Sequence, residues 1–69
     1  MTPSWFTRPF GPGDQGEDVR ALQLLLRAEP SGYYDDATTM RVRGYRLIRG
    51  LPPRGDCDDE LARAIGELR

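Results

Sequence analysis

The sequence predicts an all-α protein, a compact three-helix bundle with an irregular N-terminal arm. Three segments repeat apolar residues at steps of three and four, which is the spacing of one helix face. Clusters of glycine, proline and aspartate separate these segments. No segment alternates apolar and polar residues with β-branched enrichment, as a half-buried strand would. A chain of 69 residues has room for one domain with a thin core.

Residues 1–13 form the predicted arm, and residues 14–69 form the helical domain. Three prolines and two glycines in the arm prevent a continuous helix. Its aromatic residues are nevertheless too apolar for an inert tail; they are Trp5, Phe6 and Phe10. Two interpretations are open at this point. The rings fold back and cover the small core, or they dock on a partner.

The first helix is expected after Asp14 and Glu17, whose spacing is that of a capping box. Pro30 is expected to end it. Its predicted buried stripe consists of Val19, Leu22, Leu25 and Leu26. Because Leu22 lies within this stripe, its truncation to alanine is expected to cost about 2–5 kcal/mol.

The second helix is predicted from Asp36 to Arg49, with Asp35 as its N-cap. Its predicted buried stripe is Val42, Tyr45 and Ile48. The third helix is predicted from about Asp59 to Leu68, with Asp58 as its N-cap. Its predicted apolar face is Leu61, Ala64, Ile65 and Leu68. The two turn-cap-helix units align at an offset of 23 residues, and each must bury its apolar face against its neighbours.

The order of the motifs is informative. Residues 13–23 read GDQGEDVRALQ, a Gly-Asp-x-Gly turn followed by Val-x-x-Leu-Gln. Further along the chain come Gly32-Tyr33-Tyr34, Ala37-Thr38, Val42, Gly50-Leu51-Pro52 and Gly55. In this order the motifs closely resemble those of the peptidoglycan-binding domain family, and the resemblance covers about residues 8–66. It implies a three-helix bundle of the peptidoglycan-binding-domain type.

Several polar positions depart from that family's pattern. Ser31 stands where the family usually has aspartate, and Asp35 stands where a glycine usually follows the central aromatic residue. Arg46 replaces the glutamine that usually follows the aromatic residue of the second helix, and Leu61 replaces a threonine. Core positions are kept, so the resemblance concerns the fold more directly than the ligand.

The resemblance implies a non-catalytic module that binds peptidoglycan or a cell-wall glycopeptide in a shallow groove. It places Gln23, Tyr45 and Arg46 at or beneath that groove, and Tyr33 is a further candidate. Aromatic rings can cover the apolar face of a sugar, glutamine can bond an amide, and arginine can bind a carboxylate in fork geometry. The alternative for Tyr34 and Tyr45 is a place in the core, and Tyr33 fits either location.

The composition argues against an enzyme. Histidine is absent, which removes the usual general base and the usual zinc ligand. The adjacent aspartates at 35–36 and 58–59 point about 100° apart on a helix, so capping explains them better than catalysis. The lone cysteine, Cys57, is expected to be a small buried loop residue rather than a reactive thiol. The sequence therefore predicts no catalytic residue, no metal site and no cofactor.

The expected partner is peptidoglycan or a protein in a larger assembly. Ten arginines balance eleven acidic residues, so nucleic acid is an unlikely partner even though the second helix is rich in arginine. Neither a secretory leader nor a membrane span is visible. We therefore expect synthesis in the cytoplasm without a signal peptide, with release or assembly into a phage particle as options. The alternative function is a structural or decoration component of a bacteriophage virion that uses the fold for protein–protein contacts.

Overall fold

The computed structural model describes residues 1–67. It contains three helices, α1 (Glu17–Leu25), α2 (Asp36–Ile48) and α3 (Asp59–Ile65), and no strand forms within the described residues. Extended backbone pairs there only as isolated bridges, between Phe10 and Cys57 and between Gln15 and Tyr33. The predicted all-α architecture of three short helices is confirmed.

Aspartate side chains begin α2 and α3, as predicted. Asp35 accepts a hydrogen bond from the backbone N–H of Thr38, and Asp58 accepts one from that of Leu61, each at 2.9 Å. Each bond satisfies one of the backbone donors that the first turn of a helix leaves without an intrahelical partner. The two bonds from Thr38, through its backbone and its hydroxyl, also hold the pKa of Asp35 below its usual range.

The start of α1 differs from the prediction. Its N-cap is Gly16, and no side chain caps the helix, so the predicted capping box of Asp14 and Glu17 is wrong. Asp14 instead accepts from the backbone N–H of Gly11 at 2.8 Å and fixes the preceding turn. Gly16 has φ 146°, a conformation that favours glycine. The chain enters the helix through this residue, whose N–H donates to the carbonyl of Gly32.

The end of α1 also differs, because the helix stops at Leu25, well before Pro30. Arg27 follows in the left-handed region, with φ 59°. The N–H of Ala28 then donates to the carbonyl of Gln23 at 2.8 Å, which closes the last turn. This left-handed closure, rather than the proline, terminates the helix.

The other two helices are shorter than predicted. α2 ends at Ile48, one residue before the predicted end, and Arg49 is its C-cap. α3 ends at Ile65, with Gly66 as a C-cap of positive φ. The predicted extension of α3 is therefore wrong at Gly66 and Glu67, while Leu68 and its predicted burial lie outside the described residues.

The core lies where the three helices meet the arm. It consists of Phe10, Val19, Leu22, Leu26, Tyr34, Val42, Cys57 and Leu61. The predicted burial of Tyr34 and Cys57 is confirmed. The Tyr34 hydroxyl donates to the carbonyl of Gly55, and burial raises its pKa. Burial also raises the pKa of Cys57 to about 12, so this thiol stays protonated at neutral pH.

The predicted buried stripe of α2 is wrong at Ile48, which is 84% exposed. The buried residues of this helix are Thr38, Val42 and Arg46, which follow one another at steps of four. Ile48 points about 120° away from Val42 around the helix axis, so it faces solvent. The three-residue steps from Val42 to Ile48 had predicted one apolar stripe. The polar residues Thr38 and Arg46 occupy the inward positions beside Val42 instead. Four other predicted core residues are only half-buried; these are Leu25, Tyr45, Ala64 and Ile65.

The aromatic arm packs onto the helical domain. Phe10 is buried in the core, and its backbone exchanges two hydrogen bonds with Cys57, at 3.0 and 2.7 Å. Trp5 and Phe6 are partly buried against the same core. These contacts are those expected if the arm covers the core. The other interpretation, docking of Trp5, Phe6 and Phe10 on a partner, stays a prediction.

Polar contacts also fasten the arm. The indole N–H of Trp5 donates to the carbonyl of Gly66 at 2.8 Å. Ser4 donates to the Glu67 carboxylate through both its backbone N–H and its hydroxyl. Arg8 forms an ion pair with Asp18 at 2.9 Å, which raises the pKa of the arginine. The beginning of the chain is therefore held against α1 and against the residues that follow α3.

Candidate functional site

Gln23, a predicted ligand-binding residue, lies in the interior and is fully buried. Its side-chain nitrogen donates to the Tyr33 carbonyl at 2.8 Å and to the Thr38 hydroxyl at 2.9 Å. Its side-chain oxygen accepts from the backbone N–H of Gly32 at 2.9 Å. These bonds tie α1 to the turn that precedes α2. Gln23 therefore supports the fold and cannot contact a ligand directly in this conformation.

Arg46, the second predicted ligand-binding residue, is also fully buried. Its Nε and Nη2 donate to the carbonyl of Asp56 at 3.2 and 2.8 Å, and Nη1 donates to that of Pro52 at 3.4 Å. Nη2 also contacts the Asp58 carboxylate at 3.2 Å. The guanidinium thus joins α2 to the loop that leads into α3. These hydrogen bonds are made inside the protein, so the guanidinium of Arg46 does not reach the surface where a ligand would bind.

The carboxylate of Asp58 completes this cluster. It accepts from the Leu61 backbone N–H and pairs with Arg46 and Arg54. Desolvation alone would raise the pKa of Asp58, but the Leu61 hydrogen bond and the two arginine charges together outweigh it, so the pKa is lowered. Within residues 1–67 every buried side-chain nitrogen and oxygen atom has a hydrogen-bond partner. The interior polar groups are therefore satisfied without a ligand.

The two predicted tyrosines occupy different places. Tyr33 is 48% exposed, and its ring does not line the groove described below. Tyr45 is half-buried, and its hydroxyl donates to the Ala64 carbonyl at 3.1 Å. The guanidinium of Arg49 lies over the Tyr45 ring, 5.6 Å from its centroid. The four predicted residues therefore do not form one site, and of the four only Tyr45 lines the groove described below.

An open groove lies between the C-terminal end of α1 and the outer face of α2, and we call it the α2 groove. Its volume is about 540 Å³, which is within the usual range for small-ligand sites. It is lined by Leu25, Leu26, Arg27, Ala37, Met40, Arg41, Gly44, Tyr45 and Ile48. The site is therefore built from two helices, which hold its walls in a fixed relation.

The apolar part of the α2 groove is strongly exposed. Met40 is 67% exposed and Ile48 is 84% exposed, although both are large apolar side chains. Ala37 and Gly44 lie on the same face of α2, because steps of three and four return to one side of a helix. Contiguous apolar surface of this kind marks an interaction site more often than isolated exposed residues do. The outer face of α2 is therefore the candidate binding surface.

Positive charge accompanies this apolar surface. Arg27 and Arg41 line the groove, and within residues 1–67 neither has a carboxylate oxygen within 4 Å. The sequence has no acidic residue between Asp36 and Asp56, so the surroundings of the groove are locally basic. An anionic ligand would meet two arginines that make no ion pair within the described part of the chain.

The sequence analysis missed this groove because it assigned only one apolar stripe to α2. Ala37, Met40, Gly44 and Ile48 follow one another at steps of three, four and four, which was a detectable second stripe. It lies apart from the buried Thr38–Val42–Arg46 stripe. A stripe of apolar or small residues separate from the buried one would have indicated a face available to a partner.

A second open cavity, of about 450 Å³, lies between the arm and the first turns of α1, and it is lined by Ser4, Trp5, Thr7, Glu17, Asp18 and Ala21. Within residues 1–67, no group of three or more histidine, cysteine, aspartate or glutamate side chains is placed to hold a metal ion. No helix in the same range is long and apolar enough to cross a membrane. The aspartates that precede α3 are engaged with Arg46 and Arg54.

Comparison with known proteins identifies the fold. No protein-family model matches the chain, and no curated protein does. Among solved structures, the chain is similar to the crystal structure of the SleB N-terminal domain, with a TM-score of 0.83. The match covers 87% of this chain and 90% of that one, at 23% sequence identity. The predicted three-helix fold is confirmed, and it is the fold of the SleB N-terminal domain.

Proposed function

We propose that the chain is a non-catalytic binding module for peptidoglycan or a related cell-wall glycopeptide, and that the α2 groove is its ligand site. The observation that carries the proposal is an exposed apolar groove that includes two arginines without carboxylate partners among the described residues. The order of sequence motifs, which resembles the peptidoglycan-binding domain family, supplies the class of ligand.

The chemistry of the groove suits such a polymer. Peptidoglycan presents apolar faces, amides and carboxylates along a repeating chain. Met40 and Ile48 can cover apolar parts of the ligand, while Arg41 can bind a carboxylate with two parallel hydrogen bonds. Because the polymer repeats, a modest affinity at each site is sufficient when several modules are linked.

The placement of the reactive side chains supports a non-catalytic role. Asp35 and Asp58 are occupied as helix caps, and Asp58 also pairs with two arginines. The Cys57 thiol is buried, and its pKa is raised to about 12. These groups are engaged in the fold rather than presented in the α2 groove.

The alternative role, a protein-contact component of a virion, has less support. It depended on an aromatic arm that could reach a neighbour, whereas Phe10 is part of the core and Trp5 is fastened to Gly66. If the folded domain does not bind cell-wall material, the protein-contact role becomes the better-supported proposal.

Co-sedimentation with insoluble peptidoglycan sacculi tests the proposal. Ile48→Ser is compared with Leu47→Ser, because both side chains are exposed on α2 but only Ile48 lines the groove. We expect saturable binding by the wild type, about tenfold weaker binding by Ile48→Ser and little change in Leu47→Ser. Tyr33→Ala tests the predicted role of that exposed ring.

Three results would count against the proposal in different ways. Absence of sedimentation by a folded wild-type domain would overturn wall binding altogether. Equal losses of sacculus binding in Ile48→Ser and Leu47→Ser would show that the wall-binding site is not the α2 groove. A large loss in Tyr33→Ala alone would move the site to the turn before α2. Circular dichroism of each variant would confirm that it is folded.

A further inference from the structure

Resting on the proposed function, we infer that the α2 groove binds the peptide part of peptidoglycan through its carboxylates and does not bind the glycan strand. The reasons are the kinds of hydrogen-bonding groups in the groove, the lack of an open aromatic face and the position of the arginines.

Donors predominate among the hydrogen-bonding side chains of the groove, because two of the three are arginines. Among its lining residues, only Arg27, Arg41 and Tyr45 carry side-chain N–H or O–H groups, and arginine has no acceptor. The Tyr45 hydroxyl already donates to the Ala64 carbonyl. Sugar hydroxyls both donate and accept, so carboxylate or amide side chains that accept hydrogen bonds favour a sugar. The lining side chains of the α2 groove include neither, whereas a carboxylate needs only donors.

The aromatic ring of the groove is not available for a sugar. Tyr45 packs against the core, and Arg49 lies over its ring at 5.6 Å. Stacking of a sugar on the ring face that Arg49 covers would require displacement of that guanidinium and loss of its cation–π contact. Tyr45 therefore forms a wall of the groove rather than a platform for a sugar ring.

Charge and apolar surface together fit a short acidic peptide. Arg27 and Arg41 have no carboxylate within 4 Å among residues 1–67, so a ligand carboxylate would compete with no internal partner. In peptidoglycan the free carboxylates belong to the peptide, and its alanine methyl groups suit the surface of Met40 and Ile48. Arginine binds a carboxylate in planar fork geometry, which gives orientation as well as affinity.

Competition against sacculi tests this inference. Sacculi are digested with an amidase that separates peptide from glycan, and each purified fraction is added to domain bound to intact sacculi. We expect the peptide fraction to release the domain and the glycan fraction, at equal repeat-unit concentration, to leave it bound. Peptides whose carboxylates have been converted to methylamides should lose this effect, because the arginines then have no anionic partner.

Substitutions test the same inference from the protein side. Arg41→Gln and Arg27→Gln remove one positive charge each from the groove, and Arg20→Gln removes one from an exposed position of α1 outside it. We expect about tenfold weaker binding to sacculi for each groove variant and less than about twofold for Arg20→Gln. A thermal melt checks that all three variants remain folded.

The outcomes separate this inference from the proposed function. Sacculus binding that is released by the glycan fraction and not by the peptide fraction would overturn the inference while leaving wall binding intact. Absence of sacculus binding would overturn both. Concentration-dependent dimerisation that Ile48→Ser abolishes would instead show that a second copy of the chain occupies the groove.

Discussion

The two sides of α2 carry the same kinds of residue in opposite environments. On the inner side, Arg46 is fully buried and donates to Asp56, Pro52 and Asp58. On the outer side, Arg41 lines the groove and has no ion-pair partner within residues 1–67. Similarly, Val42 is fully buried, whereas Ile48 is 84% exposed.

The contrast shows that packing against other segments of the chain, rather than residue type, determines which side of a helix is buried. Arg46 is tolerated in the interior because the loop before α3 supplies carbonyl and carboxylate acceptors. The groove on the outer face of α2 is open, so the guanidinium of Arg41 and the apolar side chain of Ile48 are accessible there to a ligand. The inner side should therefore control stability, and the outer side should control binding.

The largest effect is expected at the centre of the core. Leu22 is fully buried, and Leu22→Ala should lower the free energy of unfolding by about 2–5 kcal/mol through lost burial and a residual cavity. Leu24, on the same helix but 41% exposed, is the matched control. Leu24→Ala should change stability by less than about 1 kcal/mol in urea denaturation. A loss below about 1 kcal/mol for Leu22→Ala would contradict the described packing of α1.

The arginine pair on α2 tests the comparison most directly. Arg46→Ala should cost about 3 kcal/mol, because it leaves the loop carbonyls without their donor and the Asp58 carboxylate without one of its two arginines. The same substitution at Arg41 should change stability by less than about 0.5 kcal/mol, since this side chain is exposed. Thermal and urea unfolding of the two variants measure the difference. Equal losses would mean that the two sides of the helix are not distinct.

Gln23→Ala tests the other interior polar cluster. It removes the acceptor for the Gly32 N–H and the donor to the Tyr33 carbonyl. Because these groups are partly buried, we expect a loss of about 1–3 kcal/mol in the free energy of unfolding. Binding to sacculi by the folded fraction should be unchanged. Weaker binding by a variant shown to be folded would indicate that Gln23 acts in recognition after all.

The smallest effect concerns pH. The pKa of Asp58 is lower in the folded protein than in the unfolded chain, so its contribution to stability is present above about pH 4 and is lost as the pH falls through the folded pKa. The melting temperature of the wild type should therefore fall in acid. Asp58→Asn should make that fall shallower, although Asp35 contributes in the same direction. An unchanged acid profile in Asp58→Asn would contradict the described ion pairs.

Much of the fold could be predicted because local chemistry determines it. Asp35 and Asp58 begin their helices as the capping rule predicts, and Tyr34 and Cys57 are buried. The start of α1 could not be predicted in the same way. Its geometry depends on a backbone hydrogen bond between Gly16 and Gly32, which are distant in sequence.

The candidate site was less predictable than the fold. Gln23 and Arg46 have side chains suited to ligand binding, and only their partners in the structure show that they support the interior. Their burial depends on turns and loops whose positions a linear pattern does not give. Ile48 was assigned to the core because apolar spacing is the same on either side of a helix, and Met40 was not assigned to either side.

The contacts of Ser4 and Trp5 with Gly66 and Glu67 have a topological consequence. They bring the two ends of the described chain together, while the α2 groove is built from α1 and α2. Two short linkers could therefore carry the chain into and out of the domain at one place on its surface, leaving the groove residues undisturbed. The domain should accordingly tolerate insertion into a surface loop of another protein with the α2 groove intact.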